Sequence, residues 1–574
     1  AMALLTGGFL VFSAQALSVV RRRTEFAFLR AIGLSRRVLF AWLLGEGAVV
    51  GLIGGVLGVL LGHALAWGAL TLLGGDLGAG YFAGSRPQLQ VQALMTAVYV
   101  ALGVVAGVVG AWLPAREATT ISPAQALKAG DEPVLFEGQG RPVLGLAVLL
   151  ASLLACAIPP YLDLPLGGYL AVALLLAGGI LLLPVVAAAL AWLLPVNGPV
   201  SSRLATARLG AAPGNAVVAA AGVMTSVALA AAMAIMVASF RDSVDQWLGQ
   251  VLPADLYVRS GPAQNGASLD ESLQQKMAVL PGISHVSFSR YDSLRLAGGT
   301  APVALLARPV SADGRELPLV GAPRLQHEPA IWISEAMQDL YGWQIGQSVE
   351  IPLGGQLVRR PVAGIWRDYA RQTGSVLIDL DDYRRLTGDR LANDAAIYLA
   401  PGFSAGPVAK ALHALSGADV FEIAYPGQIR AMSLQIFDRT FAVTYWLEAV
   451  AIAIGLAGVA ASFAALAAAR RREFGMLRHL GLARRQIGWM LAQEGALAAS
   501  VGVVAGLLIG GAIGLILIEV VNRQSFHWSM DLHVPWAPLA AFGLGLTALA
   551  ALSAVVAGRQ AMQQDAVLAV RDDW

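Results

Sequence analysis

Little in this sequence is arranged for bond-making chemistry. No lysine sits in a G-x-x-x-x-G-K-[ST] phosphate loop, so the chain does not hydrolyse ATP by that route; Lys128, Lys276 and Lys410 are its only lysines. The histidines (His63, His285, His327, His413, His479, His527, His533) are scattered, with no H-E-x-x-H and no i, i+4 pair. His527 and His533 flank Asp531, but a solvated loop accounts for that spacing better than a metal site. Asp379, Asp381 and Asp382 cluster, yet Arg384 and Arg385 follow at once, the charge order of a solvated helix start. The single Cys156 lies in an apolar run, which excludes an internal disulfide and a Cys-rich zinc site. No paired acid and base presents itself, so the chain reads as non-catalytic, with no metal or cofactor of its own.

What the sequence does contain is a repeat. RRRTEFAFLRAIGLSRR (21–37) and RRREFGMLRHLGLARR (470–485) superimpose at one register. Glu25 falls on Glu473, Phe26 on Phe474, Leu29 on Leu477, Arg30 on Arg478 and Gly33 on Gly481. The match runs on without a gap: Glu46-Gly47 falls on Glu494-Gly495, and Gly54, Gly58 and Gly62 fall on Gly502, Gly506 and Gly510. A second echo follows, Ala115-Arg116-x-Ala118 against Gly558-Arg559-x-Ala561.

Each repeated element has a physical reading. The segment from Arg21 to Ile32 is too charged for lipid, yet apolar at Phe26, Leu29 and Ile32, the spacing of a short amphipathic helix. Gly33 and Gly481 suit its C-terminal cap. Arginines at a lipid surface would serve anionic headgroups, but lipid has no use for Glu25 and Glu473, which favours docking to a cytosolic partner. The glycine ladders put small residues on one helix face, a device for close helix packing in lipid. Glu46 and Glu494, just inside the membrane boundary, are expected to pair with nearby arginines rather than relay protons.

These elements need a scaffold, and composition says which kind. Of 574 residues 57% are hydrophobic and 13% charged, against about 25% charged in soluble domains, and mean hydropathy is +0.65. A net charge of +2 gives no field to recruit nucleic acid. Apolar stretches long enough to cross a bilayer fall near 1–20, 38–73, 91–113, 143–158, 168–194, 216–240, 441–469, 487–521 and 536–557. Arginine and lysine collect in alternate short loops, which places 21–37 and 470–485 inside. Between 241 and 430 charge rises and short β-like runs alternate with helical ones, a soluble domain on the outer side. Flanking helical patterns run on past the membrane edge, like a stalk. The fold class is an α-helical polytopic membrane protein, about nine transmembrane helices, with one α+β extracytoplasmic domain. The segments are a first module (1–130), two linking spans (131–213) and a second module (214–574) enclosing the domain at 241–436.

The pattern E-F-x-x-L-R-x-x-G-x-x-R-R, a glycine-laddered span after it, and P-A-R-x-A…P-x-x-A-L from Pro114 to Leu127 resembles the FtsX-like permease family of ABC transporters, including the MacB and LolC/LolE types. The resemblance implies ten-span, two-module members, and therefore a chain that is N-terminally truncated here. It implies a permease subunit in the bacterial inner membrane that transmits cytosolic ATP hydrolysis mechanically to a lipid, lipoprotein, peptide or hydrophobic small molecule outside. ATP and Mg would reside in a partner, a cytosolic ABC ATPase homodimer. Glu25, Phe26, Leu29, Arg30 and Gly33 would couple to one ATPase copy, and Glu473, Phe474, Leu477, Arg478 and Gly481 to the other. Membrane lipid and a periplasmic adaptor or substrate-binding protein are the further partners implied. The alternative is an ATPase-coupled signalling or scaffold protein acting on an extracytoplasmic partner.

Overall fold

The computed structural model describes residues 11, 15, 18, 22–73, 90–120, 142–161, 164–193, 200–211, 213–260, 268–296, 301–324, 329–416, 421–469 and 471–561. The expected span 1–20, but for three residues, and the stretch from 121 to 141 lie outside the described residues. In chain order the helices are α1 (Arg23–Ala31), α2 (Arg36–Leu73), α3 (Ala93–Thr120), α4 (Pro142–Ala155), α5 (Leu166–Leu193), α6 (Val200–Ala211) and α7 (Pro213–Val251). After them come α8 (Glu271–Ala278), α9 (Glu335–Tyr341), α10 (Leu380–Thr387), α11 (Ala405–Ser416), α12 (Pro426–Ala469), α13 (Arg471–His479), α14 (Arg484–Ile516) and α15 (Trp536–Ala561).

Among the described residues six helical stretches are long and apolar enough to cross a membrane: Arg36–Gly68, Ala93–Thr120, Leu166–Leu193, Ala220–Val251, Arg484–Phe526 and Trp536–Arg559. The expected span 143–158 is α4, only 14 residues. At 1.5 Å per residue it reaches about 21 Å, short of a roughly 30 Å hydrocarbon core. The expected span 441–469 lies within the 44-residue α12.

The chain divides into two compact units, one of Ala1–Val237, Arg439–Leu517 and Val534–Trp574, the other of Ala238–Asp438 with Ile518–His533. The first unit is helical, and small residues let its backbones meet. Gly47, Gly51 and Gly55 of α2 face Gly107, Gly103 and Val100 of α3; a Cβ at Gly51 would lie 2.5 Å from the Gly103 carbonyl. Gly54, Gly58 and Gly62 meet no described atom within 4 Å, because the glycines of α3 that complete the seam stand opposite Gly47 to Gly55. In α14 the corresponding Gly502, Gly506 and Gly510 seat α7, meeting Ala220, Val227 and Ala228 at 2.5–2.7 Å from an added Cβ. Val223, Val227, Ala498, Leu546 and Ala550 close a core among α7, α14 and α15, and Leu183, Met224, Val501 and Ala505 join α5 to it.

The second unit is built on a nine-stranded mixed sheet. Its strands are β1 (Leu256–Ser260), β2 (Ile283–Leu294), β3 (Val303–Ala307), β4 (Ile331–Ser334), β5 (Ser348–Leu353), β6 (Gln356–Trp366), β7 (Ser375–Ile378), β8 (Asp394–Leu399) and β9 (Phe421–Ala424). They lie in the order β5-β6-β4-β7-β3-β2-β8-β1-β9, with β3–β7 and β4–β6 parallel. Alternation along the strands gives the sheet three buried clusters. Leu305, Ile333, Ile351, Val376 and Met337 fill one with α9 and α10; Leu256, Val258, Ile397, Met277 and Leu412 fill a second with α8 and α11; Leu306, Trp332, Trp366 and Leu377 form a third.

The acidic cluster does start a helix, since Asp379 caps α10 by accepting from the Asp381 and Asp382 amides. It is not solvated throughout. Asp382 is buried and receives Arg360 at 2.9 and 3.1 Å, with Arg385 at 3.1 Å.

Candidate functional site

Two constellations emerge, one in each unit. In the first unit the repeated short helices, α1 and α13, are built alike. Gly33 and Gly481 take φ of +110° and +95°, the left-handed conformation that favours glycine. Leu34 N–H donates to Leu29 C=O and Gly33 N–H to Arg30 C=O; Leu482 and Gly481 repeat the pattern on Leu477 and Arg478. This is the Schellman cap, completed by apolar contact between its first and last leucines.

The cap fixes which face turns inward. Phe26 is 2% exposed, packed with Leu39, Leu43 and Ala115, while Phe474 is 1% exposed, packed with Ile487, Leu491 and Ala557. Both phenylalanines therefore anchor their helices within the unit, which corrects their expected role as partner contacts. Leu29 and Leu477 share these seats. Arg30 donates to the Thr119 carbonyl at 3.2 Å, near the end of α3, where a cation is favoured by the helix dipole. Glu46 pairs with Arg22 at 3.1 Å, and that guanidinium also lies over the Phe26 ring.

The outward face carries what the sequence reading passed over. Phe28 and Ile32 are exposed, and so are Met476 and Leu480, the residues at the same register in the repeat. Glu25 is exposed beside the first pair, and Glu473 is half-buried beside the second. Two short helices thus present one carboxylate and two large apolar side chains each.

In the second unit, α14 passes through a π-helical turn, Leu517–Asn522, into the segment that ends at His533. Asp531 and His533 lie exposed in an irregular stretch, the solvated loop expected there, but the segment is held at several points. Asp531 receives a two-pronged bond from Arg367 at 2.6 and 2.9 Å. Tyr369 Oη donates to the Ser529 carbonyl at 2.8 Å, and the Ser529 amide donates to Glu335 at 3.1 Å. Ser243 and Ser239, near the end of α7, accept from the amides of Asp531 and His533. Trp247 on that helix donates to the Arg367 carbonyl at 3.0 Å. Phe240, Tyr369 and Trp528 form an aromatic knot with centroids 5.8–6.1 Å apart.

Electrostatics follow from the geometry. The Arg367 guanidinium holds the Asp531 carboxyl below its ordinary value of 3.8. Burial pushes the Tyr369 phenol up to about 12, so it stays a donor. The turn carrying Arg367 and Tyr369 is braced from beneath by the fully buried Asp368, which accepts from Ser375 Oγ at 2.7 Å and Arg371 at 3.1 Å. Helix end, returning segment and sheet domain meet here as one joint. Its members are far apart in the sequence, and only Asp531 and the neighbouring His533 drew notice there.

The description of an FtsX-like permease C-terminal domain matches the chain twice, at 1–123 and 447–566, the segments that hold the two short helices. The MacB-like periplasmic core domain matches 216–415. The chain thus carries two FtsX-like permease segments with a MacB-like periplasmic core segment between them. With its six membrane-length helices among the described residues, it is a multi-pass membrane protein of the FtsX/MacB type. An uncharacterized ABC transporter permease protein of Mycobacterium tuberculosis (strain ATCC 25618 / H37Rv) is 27% identical over 557 residues, covering 93% of this chain and 64% of the relative. The chain thus spans just under two thirds of that relative's length. Part of it is similar to the periplasmic region of MacB from Actinobacillus actinomycetemcomitans, at 13% identity over 32% of this chain and 94% of that one, TM-score 0.25. Another similarity is to the extracellular domain of the noncanonic ABC-type transporter YknZ from Gram-positive bacteria, at 16% identity over 30% and 98%, TM-score 0.22.

Proposed function

We propose that this chain is the permease subunit of a mechanotransmitting ABC transporter in a bacterial inner membrane, with the sheet domain on the outer side. A cytosolic ATPase homodimer docks on α1 and α13, one copy on each. Its closure moves the two helices, and the motion reaches the sheet domain through the joint of Arg367, Tyr369 and Asp531. Work is done on a lipid, lipoprotein, peptide or hydrophobic small molecule outside the membrane. The observation that carries this reading is the duplicated outward face, Glu25-Phe28-Ile32 and Glu473-Met476-Leu480, on two rigidly anchored helices. Two equivalent handles on one chain suit a symmetric partner.

The test is co-purification in mild detergent with assay of nucleotide hydrolysis. Ile32→Glu with Leu480→Glu should abolish ATPase binding while membrane insertion and thermal stability stay as in the parent. An ATPase that still binds this double variant with unchanged turnover would remove α1 and α13 from the coupling role.

A further inference from the structure

Half of one face of the sheet has no place in these three clusters. In the β9-β1-β8-β2 half, Leu256, Val258 and Ile397 point to α8 and α11. The alternate residues lie on the opposite face. Strand register sets them in rows: Tyr257 between Ala424 and Ala396, with Ser287 beyond, then Arg259 between Glu422 and Asp394, with Ser289 beyond. Tyr398 is paired with His285, their rings 5.7 Å apart. Among the described residues none of these joins a hydrophobic cluster. A floor of alanine and serine is therefore bordered by tyrosine rings.

Arg259 and Arg308 share this face with Asp394 and Glu422, and the four are not evenly paired. Arg259 is held by Asp394 at 3.3 Å and Arg371 by Asp368 at 3.1 Å. Arg308 continues the alternation of Ala304 and Leu306 past the end of β3. Its guanidinium donates to the Glu316 carbonyl at 3.2 Å, and no described carboxylate lies within 4 Å of it. The Glu316 carboxylate is itself taken by the Ser311 hydroxyl at 2.6 Å. Burial lowers the Arg308 pKa, and Tyr291, Glu316, Tyr398 and Tyr257 are the groups whose charge it feels. Burial also pushes the Tyr257 and Tyr291 phenols up to about 12, so both are neutral, and the Tyr291 hydroxyl bonds to the Asp394 carboxylate. A half-buried guanidinium with no described carboxylate in contact, on a face that also carries Tyr257, Tyr291 and Tyr398, can donate to an anion.

We infer that this face binds an amphipathic molecule with one anionic headgroup, the headgroup at Arg308 among the tyrosine hydroxyls and the alkyl part over Ala396, Ala424 and the tyrosine rings. The link onward is short. Arg371 lies 5.8 Å over the Tyr291 ring and is fixed by Asp368, within the turn that carries Arg367 and Tyr369. Naming this molecule as cargo rests on the transport reading, whereas its binding does not, and the test omits nucleotide and ATPase so that the two fail separately.

The full chain, in nanodiscs of phosphatidylcholine, is titrated calorimetrically with octyl phosphate below its micelle concentration, with empty nanodiscs as the blank. Saturable binding is expected, weakened about tenfold or more by Arg308→Gln, since a hydrogen-bonded charge is lost. Tyr398→Ala, at a half-exposed ring, is expected to weaken it as well, and serves if Arg308→Gln does not fold. Arg315→Gln, at an exposed arginine beside Asp313, should change nothing. Octyl glucoside and inorganic phosphate should each bind far more weakly than octyl phosphate. Unaltered affinity in both Arg308→Gln and Tyr398→Ala would overturn the site. Octyl glucoside binding as tightly would overturn the need for the anion, and inorganic phosphate binding as tightly would overturn the need for the alkyl part.

Discussion

At the scale of single residues, repetition in the sequence marks a shared fold before it marks a shared partner. Phe26 and Phe474 recur because both helices need the same anchor, and burial, not register, separates anchor from contact. Phe474→Ala should therefore act on stability, by about 3–5 kcal/mol for a buried phenylalanine, read as a lowered thermal midpoint. Glu25→Lys with Glu473→Lys should leave that midpoint unchanged and lower ATPase binding. The joint has its own titration. Asp531 has a pKa below the ordinary 3.8 because Arg367 donates to it. Its contribution is full above pH of about 4 and is lost as pH falls through the lowered value. Hydrogen exchange at 526–533 should accordingly stay slow from neutral pH down to about 4 and rise below it. Asp531→Asn should show faster exchange already at pH 7, with no further acid dependence from this pair. Exchange in the variant matching the parent at pH 7 would mean that the pair does not hold the segment.

Among elements, those with strong periodic signals were legible and those shaped by tertiary contact were not. The long helices, the short capped ones, and β3, β5, β7 and β8 could be read directly, each having an apolar pattern bounded by turn residues. β6 could not, because Arg359, Arg360, Pro361 and Gly364 interrupt it, and only partners on both sides make it a strand. β2 was missed for a related reason: the face with His285, Ser287, Ser289 and Tyr291 lacks the apolar residues by which strands are recognised. The glycines show the limit most clearly. Gly51 and Gly58 share a helix and a residue type, but only Gly51 has a backbone against it. Gly51→Leu should destabilise the α2–α3 pair by roughly 1–3 kcal/mol, the cost of overpacking, whereas Gly58→Leu should be near neutral in the described contacts. Thermal unfolding of the two variants in parallel checks this, and equal losses would contradict the assigned seam.

For the whole molecule, the composition gave the class and the repeat gave the resemblance to FtsX-like permeases, while the joint came only from folding distant segments together. Its removal should separate two activities. Arg367→Ala is expected to keep basal ATP hydrolysis by the assembled transporter and to abolish stimulation by cargo. Loss of both together would point to general misfolding, and retention of both would relieve Arg367 of any transmitting part. The returning segment has a further consequence, in the order of synthesis. The sheet domain is complete at Asp438, but Ile518–His533, which belongs to the same unit, leaves the ribosome later. With roughly 90 residues from Asp438 to Asp531 and about 5–20 residues added per second, the nascent domain waits some 5–19 s for Asp531 and its neighbours. During that interval Arg367 and Tyr369 lack their final partners, so the domain is first made without its brace and acquires it only once the following membrane helix has been synthesised.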